Sequence, residues 1–301
     1  MHILQQIWQN IAPNKLKKYI RFLLESGVHK ERRLSVLNYY RDFDRKRLSP
    51  EIQEGLEYLR NNKFSAYPYK WAIKYENWIP RVYLDESSQC FYILFEGKKM
   101  FFPRRYTKKE VIWIVRSIYK EQDEKSPHLY LTKDFQIDTD SIVIDAGVAE
   151  GNFALSVIEN TKKLYLVECD LEWIEALKLT FLPWKHKVIF VEKYMSDLED
   201  KNSISIDKLI GESENESYFI KMDIEGYEQL ALKGMKHLIE SKNRVKMDIC
   251  TYHKPNDFEE IKSFLNENGF NFQVSDSFML FYTSNDLPEF RKVLIRAWKN
   301  Y

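Results

Sequence analysis

The sequence predicts an α/β fold, an open and mainly parallel sheet with helices on both faces, following a smaller α+β lobe at the start of the chain. Three observations carry this. Ile142 to Asp145 is an apolar run rich in β-branched residues; a turn with Gly147 and Gly151 follows, and then a helix-like segment from Phe153 to Glu159. Together they read as a strand, a tight turn and a helix. A second apolar run, Leu164 to Val167, ends in Glu168, 23 positions after Asp145. Beyond it strands and helices alternate as far as His253, the pattern of a parallel sheet.

The turn after the first strand indicates the ligand. A dinucleotide site places three glycines as G-x-G-x-x-G so that backbone and helix N-terminus approach a pyrophosphate. Here Asp145 occupies the first of those positions. A carboxylate there repels a diphosphate but suits a donor that carries an ammonium and a sulfonium, as S-adenosyl-L-methionine does. Glu168 stands where an acid is expected to accept hydrogen bonds from the ribose hydroxyls. Taken singly, each feature is also what a plain sheet corner would show. Their order and spacing favour a nucleotide-like cofactor at the turn that runs from Asp145 to Asn152, with Asp145 at the strand tip, Gly151 letting the backbone come close and Glu168 at the ribose.

Composition narrows the class. In 301 residues, 44% hydrophobic and 30% charged, there is room for one large domain and a lobe. A formal net charge of +1 argues against a dedicated nucleic-acid binder. No apolar run reaches the ~18 residues of a membrane span, and Met1 to Ala12 lacks the pattern of a secretory signal. Cys90, Cys169 and Cys250 lie far apart in apolar, strand-like contexts, as expected of reduced core residues in a cytoplasmic protein.

The first lobe is expected over residues 1–125. Asn14 to Arg47 is helical in pattern and basic, with 11 Lys or Arg against 4 Asp or Glu from Lys15 on. A solvated face is the ordinary explanation; the sharper one is a surface for an anionic acceptor. Ser49-Pro50 starts a helix that runs to about Arg60. Short aromatic strands follow at 81–84, 91–95 and 98–102, the last two forming a hairpin across Glu96-Gly97. A helix from Thr107 to about Gln122 leads to Ser126-Pro127-His128, where Pro127 fixes the chain beside the histidine.

The second domain is expected over 126–301. After Glu168 comes a third strand, Lys187 to Val191, beyond which Tyr194 or Met195 is placed to offer an apolar face to an adenine, core packing being the alternative for either. A fourth strand, Tyr218 to Asp223, ends in Asp223-Ile224-Glu225-Gly226, which an open sheet sets over the cofactor crevice. A helix from Tyr227 to about Glu240 follows, where Glu225 and Glu228 have the alternative of complementing its dipole. Arg244 to Cys250 is the fifth strand and places His253 on the same sheet edge as Asp223. After the helix Asn256 to Asn268, the runs Asn271 to Val274 and Phe278 to Tyr282 are expected to form the antiparallel edge.

These residues resemble a known family. Asp145-x-Gly147-x-Ala149-Glu150-Gly151, Glu168, Lys221-x-Asp223-x-Glu225-Gly226-x-Glu228 and Thr251-Tyr252-His253-Lys254-Pro255-x-Asp257 are similar to the FkbM-type methyltransferases of the class I S-adenosyl-L-methionine-dependent superfamily. So are Glu121-Gln122-Asp123-x-x-Ser126-Pro127-His128 and Ser205-Ile206-Asp207-x-Leu209. The resemblance covers about Glu121 to Tyr282 and departs at Val148-Ala149, where many members have a small residue and then histidine. It implies a Rossmann-like sheet of seven strands, one of them antiparallel at the edge, and O-methylation of a sugar, glycan or polysaccharide precursor. It also implies that Asp145, Gly147, Glu150 and Gly151 hold the methionine part, that Glu168 holds the ribose, and that Asp223, Glu225 and His253 face the acceptor.

An alcohol must lose its proton as it attacks, so a base is required. His253 is the first choice because imidazole titrates near neutrality, with His128 as second base or orienting donor. A divalent cation held by Asp223 and Asp248 is weighed but left out of the main reading. A nicotinamide-dependent oxidoreductase or nucleotide-sugar enzyme, and a non-catalytic binding module, remain the alternatives. The sequence leaves the oligomeric state open and is compatible with a homo-oligomer.

Overall fold

The computed structural model describes residues 29–282 and 287–299. The leader reading at Met1 to Ala12, and the basic helical stretch as far as residue 28, lie outside the described residues; residues 29–39 are helical. The chain divides into two compact units, one of residues 1–70 with Leu280–Phe290 and one of Trp71–Met279 with Arg291–Tyr301.

In the first unit, helix α1 (Pro50–Asn61) starts as expected, with the Ser49 hydroxyl accepting from the Ile52 amide and proline in the first turn. Gly55 in this helix gives room to the Phe290 ring, from which an added Cβ would lie 2.7 Å.

The second unit opens with a three-stranded sheet, β1 (Tyr83–Asp85), β2 (Cys90–Phe95) and β3 (Lys98–Phe101). Helix α2 (Lys108–Glu121) follows, its start fixed by a capping box between Thr107 and Glu110 worth about 1 kcal/mol. Then come β4 (Ser141–Ala146), α3 (Asn152–Val157), β5 (Thr161–Val167), α4 (Leu171–Thr180), β6 (Val188–Val191), the short pair β7 (Tyr194–Met195) and β8 (Ser203–Ile204), and α5 (Ile206–Ile210). The chain continues with β9 (Ser217–Met222), α6 (Glu228–Lys233), α7 (Lys236–Glu240), β10 (Arg244–Cys250), α8 (Asp257–Glu267) and β11 (Asn271–Val274). It ends in β12 (Met279–Phe281), β13 (Glu289–Arg291) and β14 (Leu294–Lys299).

Seven strands form one sheet in the order β11-β14-β10-β9-β4-β5-β6. All neighbours from β10 to β6 are parallel, and β14 alone runs antiparallel to both β10 and β11. The expected α/β class and strand number hold, with two corrections. The antiparallel strand is Leu294–Lys299, and it lies one place inside the edge strand Asn271–Val274. The run around Met279–Phe281 pairs instead with Glu289–Arg291, outside the large sheet.

Period-2 alternation sends β-strand residues to two cores. Val143, Leu164, Leu166 and Phe219 pack on one face with Phe102, Val111 and Val115 from β3's end and α2, so the small sheet and helix expected in the first lobe share a core with the large sheet. Ile144, Val167, Ile220 and Met247 pack on the other with Leu232, Leu238 and Ile261 of the helices. Each fully buried aliphatic or aromatic side chain contributes ~1.5–3 kcal/mol, so these faces dominate the stability.

One row on the first face is charged. Asp145 pairs in register with Lys221, Lys221 with Asp248, and Asp248 with Arg296, giving alternating acidic and basic side chains across β4, β9, β10 and β14; burial raises the pKa of Asp248 well above the usual carboxylate range. All four side chains are buried. Buried ion pairs are weak stabilisers beside apolar packing, so the row acts through what it positions.

Candidate active site

At the carboxyl ends of β4, β5 and β9 lies a cavity of about 310 Å³, lined by Gly147, Ala149, Glu168, Tyr194, Asp223, Glu225 and Tyr227 among others. This is the crevice side on which open α/β sheets bind ligands. Gly147 has φ +73°, and a Cβ there would collide with the Asp223 carbonyl oxygen, so strands β4 and β9 meet at this turn only with glycine. Gly151, at φ +77°, precedes α3, and a Cβ on it would come within 2.7 Å of Leu177.

Glu168 lines the crevice with its carboxylate already fixed. Oε2 accepts from the Ala149 amide at 3.0 Å, and Oε1 accepts from the Cys169 and Asp170 amides at 2.8 and 2.9 Å. Three of about four acceptor positions are used, which sets the orientation and leaves one directed position. Tyr194 stands opposite Tyr227, ring centroids 6.4 Å apart and planes 29° from parallel. Both rings are about half exposed. Cys169, expected in the core, is exposed at this cavity.

Asp145 is placed otherwise than the sequence suggests. Its side chain is 1% exposed and does not line the crevice; Lys221 Nζ stands 3.0 Å from it. Burial raises the pKa of Asp145, partly offset by Lys221. The same ammonium donates to the Gly147 carbonyl at 2.6 Å, so the strand-tip acid acts on the turn through a lysine. Glu150 and Gly151 are likewise outside the crevice lining, and Asn152 faces a separate cavity of about 310 Å³ beside Gln122, Leu131 and Phe153. Burial pushes Glu150 up to about 6. Burial, with repulsion from Glu150 and Asp223, pushes Glu121 up to about 8.

Asp223 is the hub. Tyr130 OH donates to Oδ2 and Tyr252 OH donates to Oδ1, each at 3.0 Å. His253 Nε2 is 3.3 Å from Oδ1 and His128 Nε2 is 3.6 Å from Oδ2. Burial opposes its ionisation, but His128, Lys221, His253 and the Tyr130 hydroxyl outweigh it and hold Asp223 at about 2. Burial drives His128 down to about 4, so this imidazole is neutral at pH 7. His253 goes the other way. Burial disfavours its charged form, yet Glu228 and Asp223 together raise its pKa above the usual 6.5. Glu225 Oε2 stands 3.7 Å from His253 Nε2; its side chain is largely exposed and its backbone has φ +55°.

The structure thus brings together Asp223, Glu225, His128 and His253 as expected. Four further groups join them: Tyr130, which the sequence did not single out, and Tyr252 on Asp223, Lys221 beneath the turn and Glu228, whose Oε1 stands 2.9 Å from His253 Nδ1; the last three stand in the sequence motifs without these roles. Lysine inside an otherwise apolar strand was the available signal for Lys221. Asp248, weighed as a cation ligand with Asp223, is fully buried 3.9 Å from Arg296.

Two arginines hold the segments that carry this cluster. Arg296 Nε donates to the Tyr130 carbonyl at 3.0 Å and its Nη2 to that of Leu129. Arg291 Nη1 donates to the carbonyls of Tyr252 and His253 at 2.7 and 3.2 Å.

Residues 184–272 match the family described as the methyltransferase FkbM domain, a stretch that contains Tyr194, Asp223, Glu225, Glu228 and His253. No curated protein matches the chain. Among solved structures it is similar to methyltransferase FkbM from Methylobacillus flagellatus, at 17% identity over 62% of this chain and 54% of that one, with TM-score 0.41. It is similar to a SAM-dependent O-methyltransferase from Thermotoga maritima at 16% identity, over 55% and 61% of the two chains, TM-score 0.34. A protein from Streptococcus mutans in complex with SAH gives 15% identity, 54% and 90% coverage and TM-score 0.36. The chain spans about half the length of the first of these. The matched segment holds the acids and the histidine at the crevice and lies within the seven-stranded sheet, so residues 184–272 are what this chain shares with the methyltransferase FkbM domain.

Proposed function

We propose that the protein is an S-adenosyl-L-methionine-dependent O-methyltransferase acting on a hydroxyl of a sugar, glycan or polysaccharide precursor. The observation that carries this reading is the cluster on Asp223, where two tyrosyl hydroxyls lie 3.0 Å and two imidazoles 3.3 and 3.6 Å from one carboxylate at the crevice wall. Such a set orients a hydroxyl and takes its proton.

The crevice suits this donor. Glu150, raised by desolvation to about 6, is still mostly ionised at pH 7 beside the turn, a charge that favours a cation and disfavours a diphosphate. When bound, S-adenosyl-L-methionine supplies an electrophilic methyl group on its sulfonium. Glu168 offers its remaining acceptor position to a ribose hydroxyl, and Tyr194 with Tyr227 offers flat faces to an adenine. Gly147, with Gly151 supporting the helix behind it, keeps the turn open for the methionine part. Asp145 supports that turn through Lys221. Glu150 and Asn152 are assigned to the cofactor side, Glu150 by its charge and Asn152 by its place at the start of α3.

On the acceptor side, His253 in its neutral form accepts the hydroxyl proton at Nε2, and Asp223 stabilises the imidazolium so formed. His128, neutral and weakly basic, orients through Tyr252 OH, 3.3 Å away. Glu225, exposed at the rim, contacts neighbouring hydroxyls of the acceptor. Acceptor recognition by the first 125 residues, through the exposed Arg45, Lys46 and Arg47, belongs to the same reading and favours an anionic acceptor. Three free cysteines fit a cytoplasmic site of action. Among the described residues no helix is long and apolar enough to cross a membrane.

The test is incubation with labelled methyl donor and a panel of glycan extracts, followed by mass spectrometry. A gain of one methyl on a saccharide hydroxyl supports the reading. Cofactor binding with no methylated product supports the binding module, and reduction of a nicotinamide cofactor supports the oxidoreductase.

A further inference from the structure

Glu228 is the first residue of α6 and is 0% exposed. An acid at a helix start ordinarily interacts with the dipole at the surface, for ~0.3–1 kcal/mol. Full burial of a carboxylate costs several kcal/mol, so the dipole alone does not account for it. Two contacts do. Oε1 accepts from the Ile224 amide at 2.9 Å, which ties the carboxylate to the loop after Asp223. The same oxygen stands 2.9 Å from His253 Nδ1, an ion-pair contact in which the ring N–H is not aligned as a hydrogen bond.

The imidazole is therefore bracketed. Nδ1 faces Glu228, while Nε2 faces Asp223 at 3.3 Å and Glu225 at 3.7 Å. The Tyr252 ring packs beside it, centroids 4.2 Å apart, and Arg291 holds its carbonyl. An imidazole has two nitrogens that exchange roles by tautomerism, and a buried carboxylate on one decides which carries the proton when the ring is neutral.

We propose that Glu228 is the positioning residue of His253, keeping the proton of the neutral ring on Nδ1 so that Nε2, the nitrogen beside Asp223, is the one free to accept. This rests on His253 as the base of the proposed reaction and adds what makes it one. It treats Glu228 as part of an oriented pair and not as a helix-dipole acid.

The charged and titratable groups around the ring are Glu228, Asp223, Glu225, His128 and Tyr252, so one change must be isolated. Glu228→Gln keeps the volume and an acceptor for Ile224. Nuclear magnetic resonance of imidazole-labelled protein, without cofactor or acceptor, reads the His253 titration and tautomer. The wild type is expected to show the Nδ1–H tautomer above its midpoint, and Glu228→Gln to titrate at lower pH. Kinetics should then show kcat lowered ~10-fold or more with the acid limb moved to lower pH, and KM for S-adenosyl-L-methionine unchanged. An Nε2–H tautomer in the wild type, or a titration that Glu228→Gln leaves in place, overturns the proposal. If Glu228→Gln does not fold, the wild-type tautomer decides alone. Because the resonance readout needs no turnover, its failure is separable from a failure of the methyl-transfer reading.

Discussion

Lys221 Nζ stands 3.0 Å from the carboxylate of Asp145, its partner in register on the neighbouring strand. Both side chains are buried. Removing one member of such a pair strands the other and costs ~3–5 kcal/mol. Asp145→Asn is therefore expected to lower unfolding free energy by about that amount in urea titration. It should also weaken cofactor binding, because Lys221 also holds the Gly147 carbonyl. A variant as stable as the wild type would refute the linkage of acid, lysine and turn.

The cluster predicts a pH dependence. His253, raised above 6.5, accepts a proton only when neutral. The rate should thus fall as pH drops through that raised value, giving an acid limb above pH 6.5 that is absent in His253→Gln. Folding follows the opposite sign. The stability His253 contributes is complete below 6.5 and lost as pH rises through its folded value. Asp223, held at about 2, contributes above 3.8 and loses that contribution as pH falls toward 2. Denaturation curves between pH 2 and 9 check both signs.

Arg296 separates stability from placement. Arg296→Met removes the cation 3.9 Å from the buried Asp248 and should destabilise the fold, whereas Arg296→Met with Asp248→Leu should recover most of the loss. The double variant still lacks the donor to the Tyr130 carbonyl. Its kcat is expected to stay low while its melting temperature returns. Full recovery of both would show that the arginine merely neutralises Asp248.

The exposed Arg45, Lys46 and Arg47 give a surface prediction. Reversing all three charges should raise KM for an anionic acceptor, with a smaller effect at high salt because exposed charges are screened, and leave kcat unchanged. An unaltered KM at low salt counts against acceptor recognition there.

The sheet was legible because its strands obey simple periodicity, and β10 was bounded to the residue. The exception is instructive. Periodicity favours the more apolar run at 278–282 over Leu294–Lys299, where Arg296 breaks the apolar pattern. That charge is tolerated because Asp248 lies opposite it and the Tyr130 and Leu129 carbonyls accept from it, partners far along the chain that periodicity does not register. The helix read from Tyr227 to Glu240 is two helices, Glu228–Lys233 and Lys236–Glu240, with Gly234 between them packed so closely on Ser196 that a Cβ would lie 2.5 Å from its carbonyl. In the site, Asp223 and the two histidines were legible from their position at strand ends. Tyr130, Tyr252 and Glu228 were not, because a tyrosine or a helix-start acid has an ordinary structural explanation until its partner is known. Asp145 was noticed for its charge, which Lys221 neutralises.

The most direct test of the central claim is calorimetric titration of the protein with S-adenosylhomocysteine, with NAD in a parallel cell. One saturable site for S-adenosylhomocysteine, weakened at least tenfold in Glu168→Ala and silent toward NAD, is the predicted result. Heat with NAD and none with S-adenosylhomocysteine would contradict it.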